Sequence, residues 1–471
     1  MKALRILIEP FEYITVTDCK FHKRVNEHGV ATIIGFIDDS MEDIYLNMSI
    51  ENLPVNVSIE DEYGQAEPFF FGLLDSLNII NDNGLLIMEL KLYSYTILMD
   101  LQEQTYTFQD ENMLYDELIE EITKEYNNTN FVMTEGSGEP LKDLIVQYKE
   151  TDWEFCKRMA SHFNTIIVPQ FKQEGVKFYF GIPHSKNSDD LYSIGFDLQK
   201  RLGEHLYKLD NKVEDISEND SIVYEIAERK IWDIGDSITL NGNQLFVFEI
   251  YSVWHKQELI HTYYLKTKDG FKVPFVYNEK IIGASLDGKI IKVSHDVVKA
   301  HLTVDEKQEE DKAKWFDYST VYSSPDKSGW YTMPEINDDI RLYFPTEKEK
   351  HGYVVNSIHW DNEITPPNRR IIPNNKSLSN KYQKEIELSE DMIKITCDDN
   401  ITISIIDEVG IIVESDKNIS LNAAENISIF SMEDKIKVIA KNGILLKQND
   451  VETTLHDKLS ITGSQVRIEL N

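Results

Sequence analysis

The chain has 471 residues, a length that fits three or four domains, and its hydrophobic fraction of 41% supports packed cores rather than wholesale disorder. With 48 basic against 82 acidic residues its formal charge is −34, a balance that argues against a nucleic-acid-binding surface, which needs clustered cations, and describes a highly soluble acidic exterior. Cys19, Cys156 and Cys397 lie far apart with no CxxC or zinc spacing, so they read as isolated thiols.

The opening run Met1-Lys2-Ala3-Leu4-Arg5-Ile6-Leu7-Ile8-Glu9-Pro10 has too short an apolar stretch for a signal peptide. No run approaches the length of a membrane span, so the chain is expected to be made in the cytoplasm and not to leave by a classical signal. Residues 1–108 read as a β-barrel, with strand-like runs at 31–37, 55–59, 69–74 and 85–92 and a hairpin turn at Asn83-Gly84. Residues 109–211 read as an α/β insert. Leu114, Leu118, Ile122 and Tyr126 fall on one helical face. After a strand at 144–148, Thr151 and Glu154 form a capping box, with Trp153, Cys156, Ala160 and Phe163 on the buried face of the helix that follows. Strands resume at 165–168 and 176–180. Residues 212–284 read as a second barrel, with a tight turn at Asp233-Ile234-Gly235-Asp236 and strands at 245–250 and 261–265. Residues 285–365 form another compact β unit, and the stretch 366–390, with Pro366-Pro367, reads as a linker.

From 391 to 471 the chain becomes periodic. Apolar pairs recur about eight residues apart: Ile393/Ile395, Ile401/Ile403, Ile411/Val413, Ile419/Leu421, Ile427/Ile429, Ile436/Val438 and Ile444/Leu446, then more loosely Leu459/Ile461 and Val466/Ile468. Alternation puts both members of a pair on one face of a strand, and short polar turns between pairs mark a stacked β-structure. The Asn-x-Ser/Thr matches at Asn400, Asn418 and Asn426 restate this period, with a turn Asn leading into each strand.

Val146-Gln147-Tyr148-Lys149-Glu150-Thr151-Asp152-Trp153-Glu154-Phe155-Cys156-Lys157-Arg158-Met159 resembles a segment of the VgrG and phage late-control D family. Phe71-Gly72 and Phe108-Gln109 fit where that family's first barrel ends and its insert begins. Val321-Tyr322-Ser323-Ser324-Pro325-Asp326 with Gly329-Trp330-Tyr331-Thr332-Met333-Pro334-Glu335 looks like its spike-base OB-fold, although Asn337-Asp338 stands where a Gly-Asp is expected. The resemblance implies hub β-barrels, an α/β insert, an OB-fold and a C-terminal intertwined triple-stranded β-helix. It also implies the trimeric hub and membrane-piercing spike of a contractile apparatus: a myophage baseplate, an R-type bacteriocin or a type VI-like tip. Implied partners are two further copies of the chain, tail tube and baseplate proteins, a possible separate tip protein and the target cell envelope. The particle is released from the cell or assembled as a virion.

The need for several chains follows from the residues themselves. A lone ribbon leaves its apolar row wet, and burying roughly eighteen such side chains at about 25 cal/mol per Å² stabilises an assembly by tens of kcal/mol before entropy. Three copies can turn the rows inward, making Ile393, Ile395, Ile401, Ile403, Ile411, Val413, Ile419, Leu421, Ile427, Ile429, Ile436 and Val438 the expected trimer core. A single-chain solenoid is the alternative, but eight residues are consumed by one strand and one turn.

No HExxH, GxSxG or P-loop pattern occurs. Gly136-Ser137-Gly138 reads as a flexible loop, and Glu150 with Glu154 does not read as a glycosidase pair, because Glu154 has the capping role. No muramidase-sized insert separates the β unit from the tail. No catalytic, cofactor or metal site is expected: His255, His261, His351 and His359 suit packing or surface roles, and the tail's His456 lacks the His-x-His partner of iron-binding spike tips in such proteins. Trp330, Tyr331 and Met333 suit packing better than a ligand platform. The alternative reading is a cell-wall-degrading or effector-carrying tail protein. A receptor-binding fibre would need a distal adhesin domain, and the sequence runs to Asn471 within the repeat.

Overall fold

The computed structural model describes residues 5–61, 63–184, 188–191, 195–255, 258–326, 328–358, 372–398, 400–449 and 451–455. It falls into two units, Met1–Trp360 and Asp361–Asn471.

The first unit begins with strands β1 (Arg5–Glu9), β2 (Thr15–Arg24) and β3 (Val30–Ile37), a short helix α1 (Glu42–Leu46), and β4 (Pro54–Glu60), β5 (Ala66–Asp82) and β6 (Leu85–Ser94). Period-two alternation buries Ala31 and Ile33 of β3, Val55 and Val57 of β4, and Met88, Leu90 and Leu92 of β6. At the β5–β6 turn Asn83 and Gly84 have φ of 53° and 86°, the left-handed pair that a type I′ hairpin requires. Gly72 of β5 is needed for closeness: a Cβ there would lie 2.4 Å from the Tyr93 carbonyl oxygen.

The insert contains β7 (Glu103–Phe108), α2 (Tyr115–Thr123), β8 (Asn130–Met133), β9 (Ile145–Thr151), α3 (Asp152–Ser161), β10 (Ile167–Pro169) and β11 (Lys177–Phe180). Its own core includes Leu118, Ile119, Trp153, Phe155, Cys156, Phe178 and Phe180. The β7–β9 pair holds α3 from one side, and the β10-β11-β8 sheet supplies aromatic rings from the other.

Next come β12 (Ser188–Leu191), β13 (Asp197–Lys200), α4 (Leu202–Asp210), β14 (Ile222–Glu228), β15 (Ser237–Leu240), β16 (Asn243–His255) and β17 (Glu258–Lys266). The two β regions expected as separate barrels share one sheet of order β1-β4-β5-β6-β3-β2-β16-β17-β14-β13, with β15 also on β16 and β12 on β15. The joint is the antiparallel β2–β16 pair, where Cys19 faces Trp254. One hydrophobic core runs through both halves.

The compact β unit expected at 285–365 is a closed five-stranded barrel of β18 (Ser285–Ser294), β19 (Val297–Leu302), β20 (Phe316–Ser319), β21 (Asp339–Tyr343) and β22 (Tyr353–Ile358), in the order β18-β19-β20-β22-β21. The β20–β22 contact is parallel and the others are antiparallel. Leu144 and Val146 of the insert pack into the same core as Ile290, Ala300, Phe316, Leu342 and Val354.

The second unit opens with a five-stranded antiparallel meander: β23 (Lys376–Ser379), β24 (Glu385–Leu388), β25 (Met392–Asp398), β26 (Ile401–Ile406) and β27 (Gly410–Ser415). The expected linker at 366–390 is thus corrected over its described part, since 376–379 and 385–388 are strands of this sheet. Residues 416–443 carry no strand, and a hairpin of β28 (Ile444–Gln448) and β29 (Val451–Leu455) follows. The expected triple-stranded β-helix needs three chains; one chain pairs each strand with its sequence neighbours. The apolar pairs at Ile419, Ile427 and Ile436 have the alternation of strands but no partner edge, and a strand persists only where its backbone groups are paired. Among the described residues no helix is long and apolar enough to cross a membrane.

Candidate functional site

The family-like segment around Gln147–Met159 forms one buried polar network. Thr151 caps α3, its Oγ1 accepting from the Glu154 backbone N–H at 3.1 Å while the Glu154 carboxylate accepts from the Thr151 N–H at 3.2 Å. Gln147 donates to the Asp152 carboxylate at 2.8 Å, and the Tyr126 hydroxyl donates to the same group at 2.5 Å. Burial holds the Asp152 carboxyl above its ordinary value despite those two donors.

Arg158, with only 3% of its side chain exposed, is the hub of the network. Its Nε and Nη2 grip Glu150 in a bidentate pair at 2.8 Å each, Nη2 also reaches the Val146 carbonyl at 2.7 Å, and Nη1 reaches Glu349 at 2.8 Å. Glu349 lies 191 positions downstream, beyond β21 of the five-stranded barrel. Its carboxyl sits above the usual range because desolvation outweighs the pull of Arg158. Thr107 donates to Asp305, and Gln109 to the Ala300 carbonyl at 3.2 Å, adding bonds between the same parts. Glu150 and Glu154 are therefore occupied, one as a buried counter-ion and the other as a cap. The role of Arg158 was not read from the sequence: the residue was visible, but nothing in it points to a partner so far along the chain.

In the barrel, Gly329 adopts φ of 143°, and a Cβ there would lie 2.3 Å from the Tyr322 carbonyl oxygen. Asn337, where the related pattern has Gly, takes φ of 74°, and Asp338 accepts from the Glu335 N–H at 2.8 Å. Asn is the non-glycine residue that best tolerates this conformation. Trp330 and Tyr331 are exposed, whereas Met333 packs partly against the barrel core.

The Gly136–Gly138 loop has its donors already used: Ser137 Oγ and the Gly138 N–H both donate to Asp116. His261 is buried, bonded through Nδ1 to Ser252 at 2.6 Å and held neutral, its pKa pushed down to about 3 by burial and by Lys23 and Lys172. His351 contacts Thr346 through Nδ1. The His255 side chain, His359, His456 and the pairs Leu459/Ile461 and Val466/Ile468 lie outside the described residues, as do Met1–Leu4. Cys19 and Cys156 are buried and Cys397 is exposed. Among the described residues no group of three or more His, Cys, Asp or Glu side chains is placed to hold a metal ion.

The second unit is the opposite of that network. Register aligns Leu378, Ile386, Ile395, Ile403 and Val413 across five strands, and Leu388, Ile393, Ile405 and Ile411 across four. Every one of these residues is at least 42% exposed. Thr402 and Ser404, alternating with the isoleucines on β26, are buried at 6% and 7% exposure. On β26 the polar alternates are buried and the isoleucines Ile403 and Ile405 are open. The expected core positions Ile393, Ile395, Ile403, Ile411 and Val413 lie on that open face, with Ile401 half-buried at its margin. Ile419, Leu421, Ile427, Ile429, Ile436 and Val438 are exposed along the strandless stretch. Leu378, Ile386 and Leu388 extend the face upstream of 391; their own alternation in the sequence is the signal that the linker assignment passed over.

No family model matches the chain, and neither does any curated protein sequence. Solved structures do. The chain is similar to the E. coli c3393 protein, a component of the type VI secretion system with structural similarity to the T4 bacteriophage tail proteins gp27 and gp5: TM-score 0.53 and 11% identity over 74% of this chain and 99% of that one. It is also similar to a chain of the lidded Francisella PdpA-VgrG complex, with TM-score 0.53 and 11% identity over 86% of this chain and 77% of that one. The 43 kDa tail protein of prophage MuSo2 from Shewanella oneidensis aligns at TM-score 0.44 and 11% identity, over 58% and 99%. Likeness at such identity concerns the fold alone: a mostly β chain with a small closed barrel, as in the c3393 and PdpA-VgrG structures.

Proposed function

We propose that this chain is the structural hub and spike subunit of a contractile, phage-tail-like injection apparatus and works as a homotrimer. In this reading the joined β-sheets form the hub that meets tail tube and baseplate proteins, and the five-stranded barrel is an OB-fold collar. Three copies of residues 391–471 wind into a β-helix that pierces the target envelope, with or without a separate tip protein. The single observation that carries the proposal is the open apolar face of the second unit, attached to a chain with a tail-hub fold. A face of aligned isoleucines is unstable in water, and a threefold axis covers three such faces with identical contacts. The chain is read as non-enzymatic, since its most conspicuous buried carboxylates are committed to Arg158 and to a helix cap.

The mass of the purified protein in solution tests this directly. A trimer is expected, and truncation near Asn375 should weaken or abolish it while leaving the first unit folded. A strict monomer at micromolar concentration refutes the reading. Incubation with peptidoglycan addresses the non-enzymatic part, because release of muropeptides would favour the cell-wall-degrading alternative.

A further inference from the structure

The first unit contains a cavity of about 400 Å³ that neither the Arg158 network nor the open face accounts for. Three segments surround it: α2 and the chain around 139–145 and 162–163 of the insert, the loop Phe275–Tyr277, and the turn 348–350 beside the barrel. Its apolar wall is aromatic. The rings of His162 and Phe275 lie parallel at 4.3 Å and 4°, Tyr277 adjoins Phe275 at 4.6 Å, and Phe275 and Tyr277 are 41% and 38% exposed.

The polar groups of this wall are specific. Burial and the neighbouring Arg158 push the His162 pKa down to about 3, so the ring is neutral. The Tyr115 hydroxyl, kept protonated by a pKa raised to about 12, is hydrogen-bonded to His162 Nδ1 at 2.7 Å. Among the described residues the other imidazole nitrogen, Nε2, has no hydrogen-bond partner. At the mouth the carboxylates are already matched: Glu139 with Lys142, Asp143 with Lys314, and Glu349 with Arg158. Among the described residues Lys348 and Lys350 have no carboxylate partner; Lys348 only approaches the Tyr277 ring, at 5.9 Å. Two unneutralised cations beside an aromatic wall are out of character for a chain of net charge −34.

We infer that this cavity is a docking site for an acidic segment of a partner protein, which inserts one aromatic side chain against Phe275 and His162 and places flanking carboxylates on Lys348 and Lys350. The volume suits one large side chain with its backbone, not a small domain. The cavity wall gives a flat, polarisable surface for stacking, the second imidazole nitrogen offers a bond to a peptide backbone, and charge complementarity selects an anionic flank. Because three segments meet here, an inserted side chain would also pin the insert, the Phe275 loop and the barrel turn to one another. The site is independent of the spike and does not depend on the particle type.

The test is fluorescence anisotropy on the full chain in its solution assembly, at low salt and neutral pH. The probes are a labelled acetyl-Asp-Glu-Trp-Glu-Asp-amide peptide, its Trp→Ala version, a Lys-flanked version and free indole-3-acetate. The acidic Trp peptide should bind, and both altered peptides should bind at least about fivefold more weakly. The double variant Lys348→Glu/Lys350→Glu should weaken the acidic peptide about five- to tenfold, as expected for two partly exposed charge pairs, while leaving the unfolding midpoint unchanged. His162→Phe keeps the stacking surface and should lose part of the affinity. Absence of peptide binding, equal binding of the Ala-centred or Lys-flanked peptide, or indifference to the Lys348/Lys350 variant overturns the inference. Binding of indole-3-acetate alone overturns the peptide as occupant.

Discussion

Strands β3 and β6 of the first unit and β25 and β26 of the second obey the same rule of alternation and meet opposite fates. Ile33 and Leu90 face each other across β3 and β6 and are fully buried, whereas Ile395 and Ile403 face each other across β25 and β26 and are 46% and 42% exposed. Pattern sets which face of a strand is apolar; only a second layer decides whether that face is covered. In the first unit the chain supplies that layer itself, because β2 and β16 join two sheet halves around one core. In the second unit the described residues supply strands and no layer over the apolar face.

The largest expected effect tests that difference head-on. Replacing Ile403 and Ile427 together by Asp places one charge on the apolar face and one in the exposed apolar run that follows it, and should abolish assembly, read as a fall in solution mass from three chains to one. In a threefold rod each substitution buries three like charges near the axis, at a cost of several kcal/mol. The first unit should keep its unfolding midpoint. A mass that stays trimeric with Asp at both positions would mean that neither this face nor the apolar run after it holds the copies together.

The contrast also explains what could be read in advance. Local signals were faithful: the Asn83-Gly84 turn, the Thr151/Glu154 capping box and the apolar face of α2 all depend on residues within a few positions of one another. The octad of the tail was legible for the same reason. What was not legible depends on long-range pairing. Nothing near Cys19 announces Trp254 across the β2–β16 joint, so two barrels were expected where one sheet runs through. Nothing near Arg158 announces Glu349. At 376–390 the error was of another kind: polar composition outweighed the short alternation Ile386-Glu387-Leu388, which is a strand because Ile395 and Ile393 lie opposite it.

Arg158 gives the next largest effect, confined to the self-sufficient unit. Arg158→Met fills similar volume but leaves Glu150 and Glu349 buried without their cation, at a cost of about 3–5 kcal/mol. Denaturant unfolding of the first unit should register this loss, with the trimeric mass retained until that unit unfolds. The sign with pH is fixed. Glu349 already has a raised carboxyl pKa in the folded state, and losing Arg158 raises it further. Protonation therefore favours the folded variant, and the difference from the parent chain should shrink as pH falls from the raised Glu349 value toward about 4.3, the ordinary Glu value, and stay level below it. A deficit that stays constant over that range would locate the effect in lost packing rather than in the orphaned charges.

Smaller still is the acid sensitivity that separates the two units. His261 is neutral in the fold, with a pKa near 3 against about 6.5 when exposed. The unfolded chain binds a proton that the folded one refuses, so this contribution is complete above about pH 6.5 and is lost as pH falls from there toward 3. By pH 5 the loss is on the order of 2 kcal/mol. His162, depressed for the same reason, acts in the same direction. Residues 372–455 contain no histidine, so mild acid should loosen the first unit before it affects the assembly. The pair His261→Phe and Ser252→Ala removes the titrating ring and its hydroxyl partner together. It should reduce the slope of the stability profile between pH 6.5 and 5, leaving the part that His162 contributes, and a profile of unchanged slope would assign the acid sensitivity to other groups.

The finest distinction concerns a single cap. Thr151→Ala removes the acceptor for the Glu154 N–H and also the hydroxyl bond to Asp100, so its cost should lie toward the upper part of the usual capping range, about 1–2 kcal/mol. Thr151→Ser keeps both bonds and should recover most of the loss. The cap sits at the start of α3, the helix that carries Arg158, and a frayed first turn moves the Glu150 side of the ion pair more than the Glu349 side. If the network acts as one piece, Thr151→Ala and Arg158→Met will cost less together than the sum of the two single changes, because the second can break only what the first has left intact. If the losses add, cap and ion pair are independent, and the buried motif is two local devices that happen to share a helix.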